Sequence, residues 1–144
     1  MITYRKINKK DASAIYILVK KDFASKKEYS WDWSTNEINS YLKPTELGIV
    51  AIEKNEIIGF ILVKEDYASQ RPHIAWLTYI LIDEKHQGQG IASTLITKAE
   101  KTLKTIGKTE ILTDIYATNK HSLSFFNHHK FTKKETWYSL SKKL

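Results

Sequence analysis

Apolar, β-branched and aromatic residues run almost unbroken from Ile74 to Ile82, the pattern of a strand covered on both faces and too short to span a bilayer. Ile91, Leu95, Ile96, Ala99, Leu103 and Ile106 then recur at helical spacing, with Lys98, Lys101 and Lys104 on other faces and Gly107 as the stop. Upstream, residues 3–8 alternate as a first strand with Tyr4 and Ile7 inward, and Asp11 is the expected cap of a helix whose stripe is Ala12, Ile15, Tyr16, Val19 and Phe23. The periodicity stops over residues 24–33. Ser34-Thr35-Asn36-Glu37 has capping-box spacing and predicts a short helix to about Leu42, ahead of Pro44. Leu47–Glu53 and residues 57–64 read as an antiparallel hairpin around Lys54-Asn55-Glu56, and the polar residues 68–72 turn the chain into the long apolar run.

Beyond the long helix, residues 110–116 form another apolar strand, expected to lie parallel to Ile74–Ile82 through a right-handed crossover. Asn119 opens a last helix through about His129, and residues 131–144 supply one or two closing strands. The fold class predicted is α/β (α+β). Its order is β-α-α-β-β-β-α-β-α-β(-β), with a mixed central sheet of six to seven strands and about four helices in one domain over 1–144.

The junction between the long strand and the long helix carries the chemistry. Gln87-Gly88-Gln89-Gly90-Ile91-Ala92 places a glycine-bearing turn ahead of a helix, whose first amides have no intrahelical acceptor and whose positive dipole end points into the turn. That is an anion site. Gly88 and Gly90 admit positive φ and a close approach of phosphate to the backbone, and Ala92 allows helix and strand to pack closely. The three glycines of a dinucleotide loop and the Gly-Lys-Ser/Thr of a P-loop are both missing.

Composition narrows the ligand. At 144 residues the chain is the size of one ordinary domain. It has no cysteine, which excludes disulfides, thiolate metal sites and a cysteine nucleophile. Residues 1–7 lack the apolar stretch of a secretory signal, so a cytoplasmic protein is expected. The formal charge of +7 favours anionic ligands. Only Arg5 and Arg71 are arginines, and the lysines are scattered along the chain, a distribution that speaks against nucleic acid and for a polyphosphate cofactor.

Residues 87–92 fit Q/R-x-x-G-x-G/A and resemble the pyrophosphate loop of the GNAT superfamily of N-acetyltransferases. A second stretch, from Asn119 to Phe131, is similar to that family's N-x-x-A/S-x-x-F/L-Y-x-x-x-G-F at Asn119, Ser122, Phe125 and Phe131. The element order is also the family's. The resemblance implies acetyl-coenzyme A as cosubstrate and no metal. The coenzyme would contact Ile80, Leu81, Ile82, Gln87, Gly88, Gln89, Gly90, Ile91, Ala92, Ser93, Asn119 and Phe126. It implies further that the strands Ile74–Ile82 and 110–116 splay to admit the pantetheine arm. Two departures stand out: Phe126 occupies the position of a tyrosine that protonates the departing thiolate, and Lys130 replaces a glycine.

Transfer to nitrogen needs a neutral amine, which at pH 7 costs roughly 4–5 kcal/mol for a lysine-like group and about 1–1.4 kcal/mol for a peptide α-amine. The family's glutamate on the strand before the loop has no counterpart among Trp76, Thr78 and Tyr79. Tyr79, Asp114 and Asn119 are the catalytic candidates, with Glu53, Glu65 or a water chain held by Thr78 or Tyr79 as alternative routes for the proton. His86 is expected to pack or to face solvent at the strand end, and His121, His128 and His129 lack a further ligand at metal spacing. Tyr29, Trp31 and Trp33 are candidate acceptor-binding residues. The reading is an enzyme acting on a small-molecule or peptide amine, without nucleic acid or membrane, as a monomer or homodimer. The alternative is a coenzyme-binding module with weak or lost catalysis.

Overall fold

The middle of the sheet is a hairpin, because its two strands are apolar on both sides. β2 (Leu47–Glu53) and β3 (Glu56–Glu65) pair antiparallel. Lys54 and Asn55 form the turn with φ of 49° and 66°, the positive values a two-residue hairpin turn demands. Glu56 belongs to the strand and not to the turn. β1 (Thr3–Lys6) pairs antiparallel with β2, β4 (Ile74–Ile82) antiparallel with β3, and β5 (Glu110–Leu112) parallel with β4, so the order is β1-β2-β3-β4-β5. The computed structural model describes residues 1–25, 34–65 and 71–144, with side chains throughout except at 23–25. Tyr29, Trp31, Trp33, residues 68–70 and the side chain of Phe23 lie outside the described residues. The chain divides into two compact units, Met1–Thr113 and Asp114–Leu144.

In the first unit, α1 (Ala12–Ser25) and α2 (Thr35–Asn39), the latter prolonged by a 3-10 turn over Ser40–Leu42, cover one face of the sheet. Ala12, Ile15, Val19, Ile38 and Tyr41 pack there against Val50, Phe60 and Leu62. Alternation sends Ile49, Ala51, Ile61 and Val63, all buried, to the opposite face, where α3 (Ile91–Thr105) lies against β2, β3 and β4. Ile91, Leu95, Ile96, Ala99 and Leu103 are its buried stripe. Each leucine or isoleucine of that stripe removed from water contributes roughly 1.5–3 kcal/mol. Ile106, read as part of that stripe, is half-exposed because the helix has already ended beneath it.

Four expectations need correction. Asp11 does not cap α1: Asn8 caps the preceding 3-10 turn, accepting from Lys10 N at 2.9 Å, while Asp11 accepts from Asn8 N at 2.7 Å in a reciprocal box. β4 is covered on both faces only in its first half, since Thr78 is exposed and Tyr79, Ile80 and Leu81 are half-buried. β5 is three residues long instead of seven. The sheet has five strands instead of six or seven, because residues 131–144 join no ladder among the described residues; a strand pattern specifies a pleated chain but needs an edge to pair with.

The second unit is built on α4 (Lys120–His128), capped by the Asn119 side chain, which accepts from Ser122 N at 3.1 Å.

Candidate functional site

β4 is held on one side along its length and on the other only at its start. Its ladder with β5 runs Ile74↔Glu110, Ala75↔Ile111 and Trp76↔Leu112, and there it stops. The Thr113 hydroxyl donates to Leu77 O at 2.9 Å, ending the pairing with a side chain where the next backbone bond would fall. Toward β3, Asp83 N donates to Ile58 O at 2.8 Å. The antiparallel alternation therefore turns the backbone groups of Leu81 and Tyr79 toward β3, and those of Ile80 and Ile82 toward the other edge. Among the described residues no strand occupies that edge beyond Trp76. Among the described residues the backbone groups of Ile80 and the Ile82 amide have no ladder partner on that edge, while Ile82 O accepts from Gln87 Nε2 at 3.1 Å.

A bulge interrupts β4 in the same stretch. Leu62 faces Tyr79 and Val63 faces Leu77, so Thr78 is the extra residue. Its hydroxyl donates to Leu62 O at 3.1 Å and lies 2.6 Å from the Tyr41 hydroxyl. A threonine has one proton and the Leu62 carbonyl can only accept, so Tyr41 donates to Thr78.

After Ile82 the chain makes a 3-10 turn over Glu84–His86 and reaches the glycine turn. Gln87 Nε2 donates to Ile82 O at 3.1 Å, tying the turn to the strand end. Gly88 and Gly90 have φ of 77° and 76°, and a Cβ on either would meet nothing within 4 Å. The conformation asks for glycine, and the space in front of the backbone is open. Gly90 is the N-cap of α3 and offers no side chain to its amides; the first bond of the helix runs from Thr94 N to Gly90 O at 3.0 Å. Ile91 and Ala92 amides thus stand ahead of the helical ladder at its positive end, and Ser93 lies in the same turn. The turn fits a diphosphate: it offers amides, a helix dipole and room.

His86 anchors this turn from behind. Its Nδ1 lies 3.2 Å from Asp83 Oδ2 and its Nε2 3.3 Å from Glu53 Oε2, and Lys21 of α1 donates to Asp83 Oδ1 at 3.0 Å. Burial alone would raise the Asp83 carboxyl, but the hydrogen bonds from Lys21 and His86 outweigh it and hold it below its ordinary value.

The catalytic candidates separate. Tyr79 OH donates to Asp22 Oδ2 of α1 at 2.6 Å, its ring tilted against Phe60. Burial first, and then the Asp22 carboxylate, push the Tyr79 phenol well above its ordinary value, so it remains a donor at any physiological pH. Glu53 is engaged with His86, and Glu65 with Lys108, whose buried ammonium also donates to Pro72 O at 2.7 Å. Asp114 is exposed in the second unit, and the Asn119 side chain is occupied as a helix cap. Phe126 is buried between Phe125 and Phe131, with ring centroids at 5.3 Å and 5.0 Å. Among the described residues, no group of three or more His, Asp or Glu side chains is gathered to hold a metal.

Sequence reasoning missed Asp22 and Tyr41. Asp22 follows Ile15 and Val19 by helical steps, so it is a carboxylate on the buried stripe of α1, and a charged residue in an apolar position was the available signal. Tyr41 had no signal, because only the fold brings it to Thr78.

The profile of the acetyltransferase (GNAT) family matches residues 10–131. N-alpha-acetyltransferase 30 of Schizosaccharomyces pombe is 25% identical over 93 residues, 65% of this chain and 62% of that protein, so the match spans less than two thirds of the relative. The aminoglycoside N-acetyltransferase AAC(6')-Iy in complex with CoA superposes with a TM-score of 0.79 at 18% identity, covering 100% of this chain and 96% of that one. The ribosomal-protein-S18-alanine N-acetyltransferase from Escherichia coli gives a TM-score of 0.76 at 17% identity over 94% of this chain and 80% of its own. At such identities these two similarities speak to the fold alone. No helix among the described residues is long and apolar enough to cross a membrane.

Proposed function

The chain belongs to the acetyltransferase (GNAT) family, and from that premise we propose that it transfers the acetyl group of acetyl-coenzyme A to a primary amine by direct attack in a ternary complex. The observation that carries the reading is the junction of β4 and α3. There a strand with one edge open after Trp76 leads into a turn whose two left-handed glycines face open space at a helix N-terminus. The amides of Gly88 to Ala92, with Ser93, would hold the diphosphate, and the backbone of Ile80 and the Ile82 amide, which lie on the unladdered edge, would pair with the pantetheine amides. Acetyl-coenzyme A supplies an activated acyl thioester.

The chain's own residues handle the amine. Asp22, held 2.6 Å from the Tyr79 hydroxyl, is the carboxylate we assign to attract a cationic acceptor and to accept its proton. Tyr79 stays protonated and orients it. Relatives named for aminoglycosides and for protein α-amines keep both small-molecule and peptide amines within the acceptor class. A second reading, a coenzyme-binding module with weak catalysis, is favoured by Phe126, a buried phenyl ring where the family's motif has a hydroxyl.

A melting scan tests binding first: at 100 times its dissociation constant acetyl-coenzyme A adds about 2.7 kcal/mol, roughly 5–11 °C at this size. No shift at millimolar coenzyme sinks both readings. Release of free thiol with a panel of amines then separates them, since silence across the panel despite a clear shift leaves the module.

A further inference from the structure

His86 faces two carboxylates that belong to different elements. Its Nδ1 lies 3.2 Å from Oδ2 of Asp83, the N-cap of its own 3-10 turn, and its Nε2 lies 3.3 Å from Oε2 of Glu53 at the end of β2. Lys21 of α1, 3.0 Å from Asp83 Oδ1, completes the charged groups gathered around the ring.

The two contacts differ in what they require. A carboxylate can only accept, and a neutral imidazole has one N–H. The Asp83 contact is a hydrogen bond, which fixes that proton on Nδ1, and the same bond helps to hold the Asp83 carboxyl below its ordinary value. The Glu53 contact is therefore attractive only when Nε2 carries the second proton. Without it a nitrogen lone pair faces a carboxylate oxygen at 3.3 Å, and the cluster changes from two cations against two anions to one cation against two.

The ring stands two residues before Gly88, at most about 7 Å of chain, within a screening length of about 8–10 Å. The side chains of Gln87 and His86 tie the turn to the sheet. Gln87 Nε2 donates to Ile82 O at 3.1 Å, a neutral bond that no proton can switch, whereas the link from His86 to Glu53 depends on charge. Loss of the Nε2 proton releases that link and leaves an uncompensated negative charge beside amides that face an anion. Both effects act in one direction.

We propose that His86 is a positioning residue whose Nε2 proton couples coenzyme binding to pH: protonated, it pins the glycine turn to β2 through Glu53, and deprotonated, it releases the turn and weakens the hold on the diphosphate. Histidine suits the task, being the side chain that ordinarily changes charge between about pH 5 and 8. The inference rests on the reading of the turn as the coenzyme's site.

Calorimetric titration of coenzyme A on the full chain, from about pH 5.5 to about pH 8.5, tests it. The ligand's own phosphates titrate alike for every variant, so the ratio of dissociation constants between proteins is the readout. Relative to His86→Gln, which has no proton to lose, the unaltered chain should weaken at least about fivefold from the acid to the alkaline end. Glu53→Gln supplies an amide that can accept from a protonated Nε2 or donate to a bare one. It should therefore bind more tightly than the unaltered chain at the alkaline end, by a factor that grows with pH. A cluster with a merely structural role would instead weaken both variants by the same factor at every pH. Ratios that do not change with pH overturn the proposal while leaving the coenzyme reading intact. Absence of binding at every pH fails that reading, and this inference with it. Should His86→Gln not fold, the Glu53→Gln series still decides.

Discussion

Lys130 and Gly107 occupy the same place in two helix ends. After α3, Lys108 N bonds Leu103 O at 3.0 Å and Gly107 N bonds Lys104 O at 3.2 Å; after α4, Phe131 N bonds Phe126 O at 3.0 Å and Lys130 N bonds Asn127 O at 3.0 Å. Both are Schellman ends, and both need a left-handed residue in the middle, at φ of 84° and 68°. α3 uses glycine and α4 a lysine, held in place by the Phe126 to Phe131 ring contact that spans the motif. A left-handed non-glycine residue costs about 1–2 kcal/mol, partly offset by the lower entropy of an unfolded lysine. Lys130→Gly is therefore expected to stabilise the protein by roughly 0.5–1 kcal/mol, and a thermal melt that falls or stays unchanged would count against this account. Asp11 provides a second test. The hydrogen bonds from Arg5, at 2.6 and 2.9 Å, lower its carboxyl first; burial opposes them, and the Asn8 amide adds to the lowering. A depressed folded value means stability that is present above the unfolded carboxyl value near 4 and lost as pH falls through the folded one. Asp11→Asn should cost about 1.5–3 kcal/mol at pH 7 in urea unfolding, and the gap should narrow below pH 4. An equal penalty at pH 3 and pH 7 contradicts it.

Elements differ in how far the chain announces them. β4 is predicted to the residue, and α3 to its first residue and its stop, because a nine-residue apolar run and a helical stripe bounded by glycines each leave one period open. α1 starts at Ala12, directly after Asp11 as the pattern predicts, but the capping role is misassigned: Asn8 and Asp11, three residues apart, form one reciprocal box on the turn that precedes the helix. Asp22 and Tyr41 reach the site through tertiary packing, and the outcome for residues 131–144 depends on which edge is available, which no local pattern encodes. The glycine turn was legible because positive φ restricts residue type, and this makes it testable at the level of the strand-turn-helix element. Gly90→Ala and Gly107→Ala introduce the same left-handed strain into open surroundings, at φ of 76° and 84°, so each should destabilise by about 1–2 kcal/mol. Only the first places a methyl group in front of the α3 amides. Coenzyme A affinity, measured by calorimetry, should fall at least about tenfold in Gly90→Ala, the loss expected from one displaced charge-assisted hydrogen bond, and stay unchanged in Gly107→Ala. Equal affinities in the two variants would remove the turn from the binding site.

At the scale of the whole molecule, charge acts where no single contact does. The chain carries +7, and the turn ahead of α3 adds the positive end of a helix dipole. Such a field raises the encounter rate of a polyanion far more than it changes the bound contacts. The coenzyme, with its phosphates, should therefore associate faster at low ionic strength, and its dissociation rate should move less. Between 0.01 M and 1 M salt the screening length falls from about 30 Å to about 3 Å. Stopped-flow association of coenzyme A is expected to slow by roughly tenfold or more across that range, while a melting shift taken at saturating coenzyme remains. An association rate indifferent to salt would mean that local amides alone draw the ligand and that the excess of lysine serves something else.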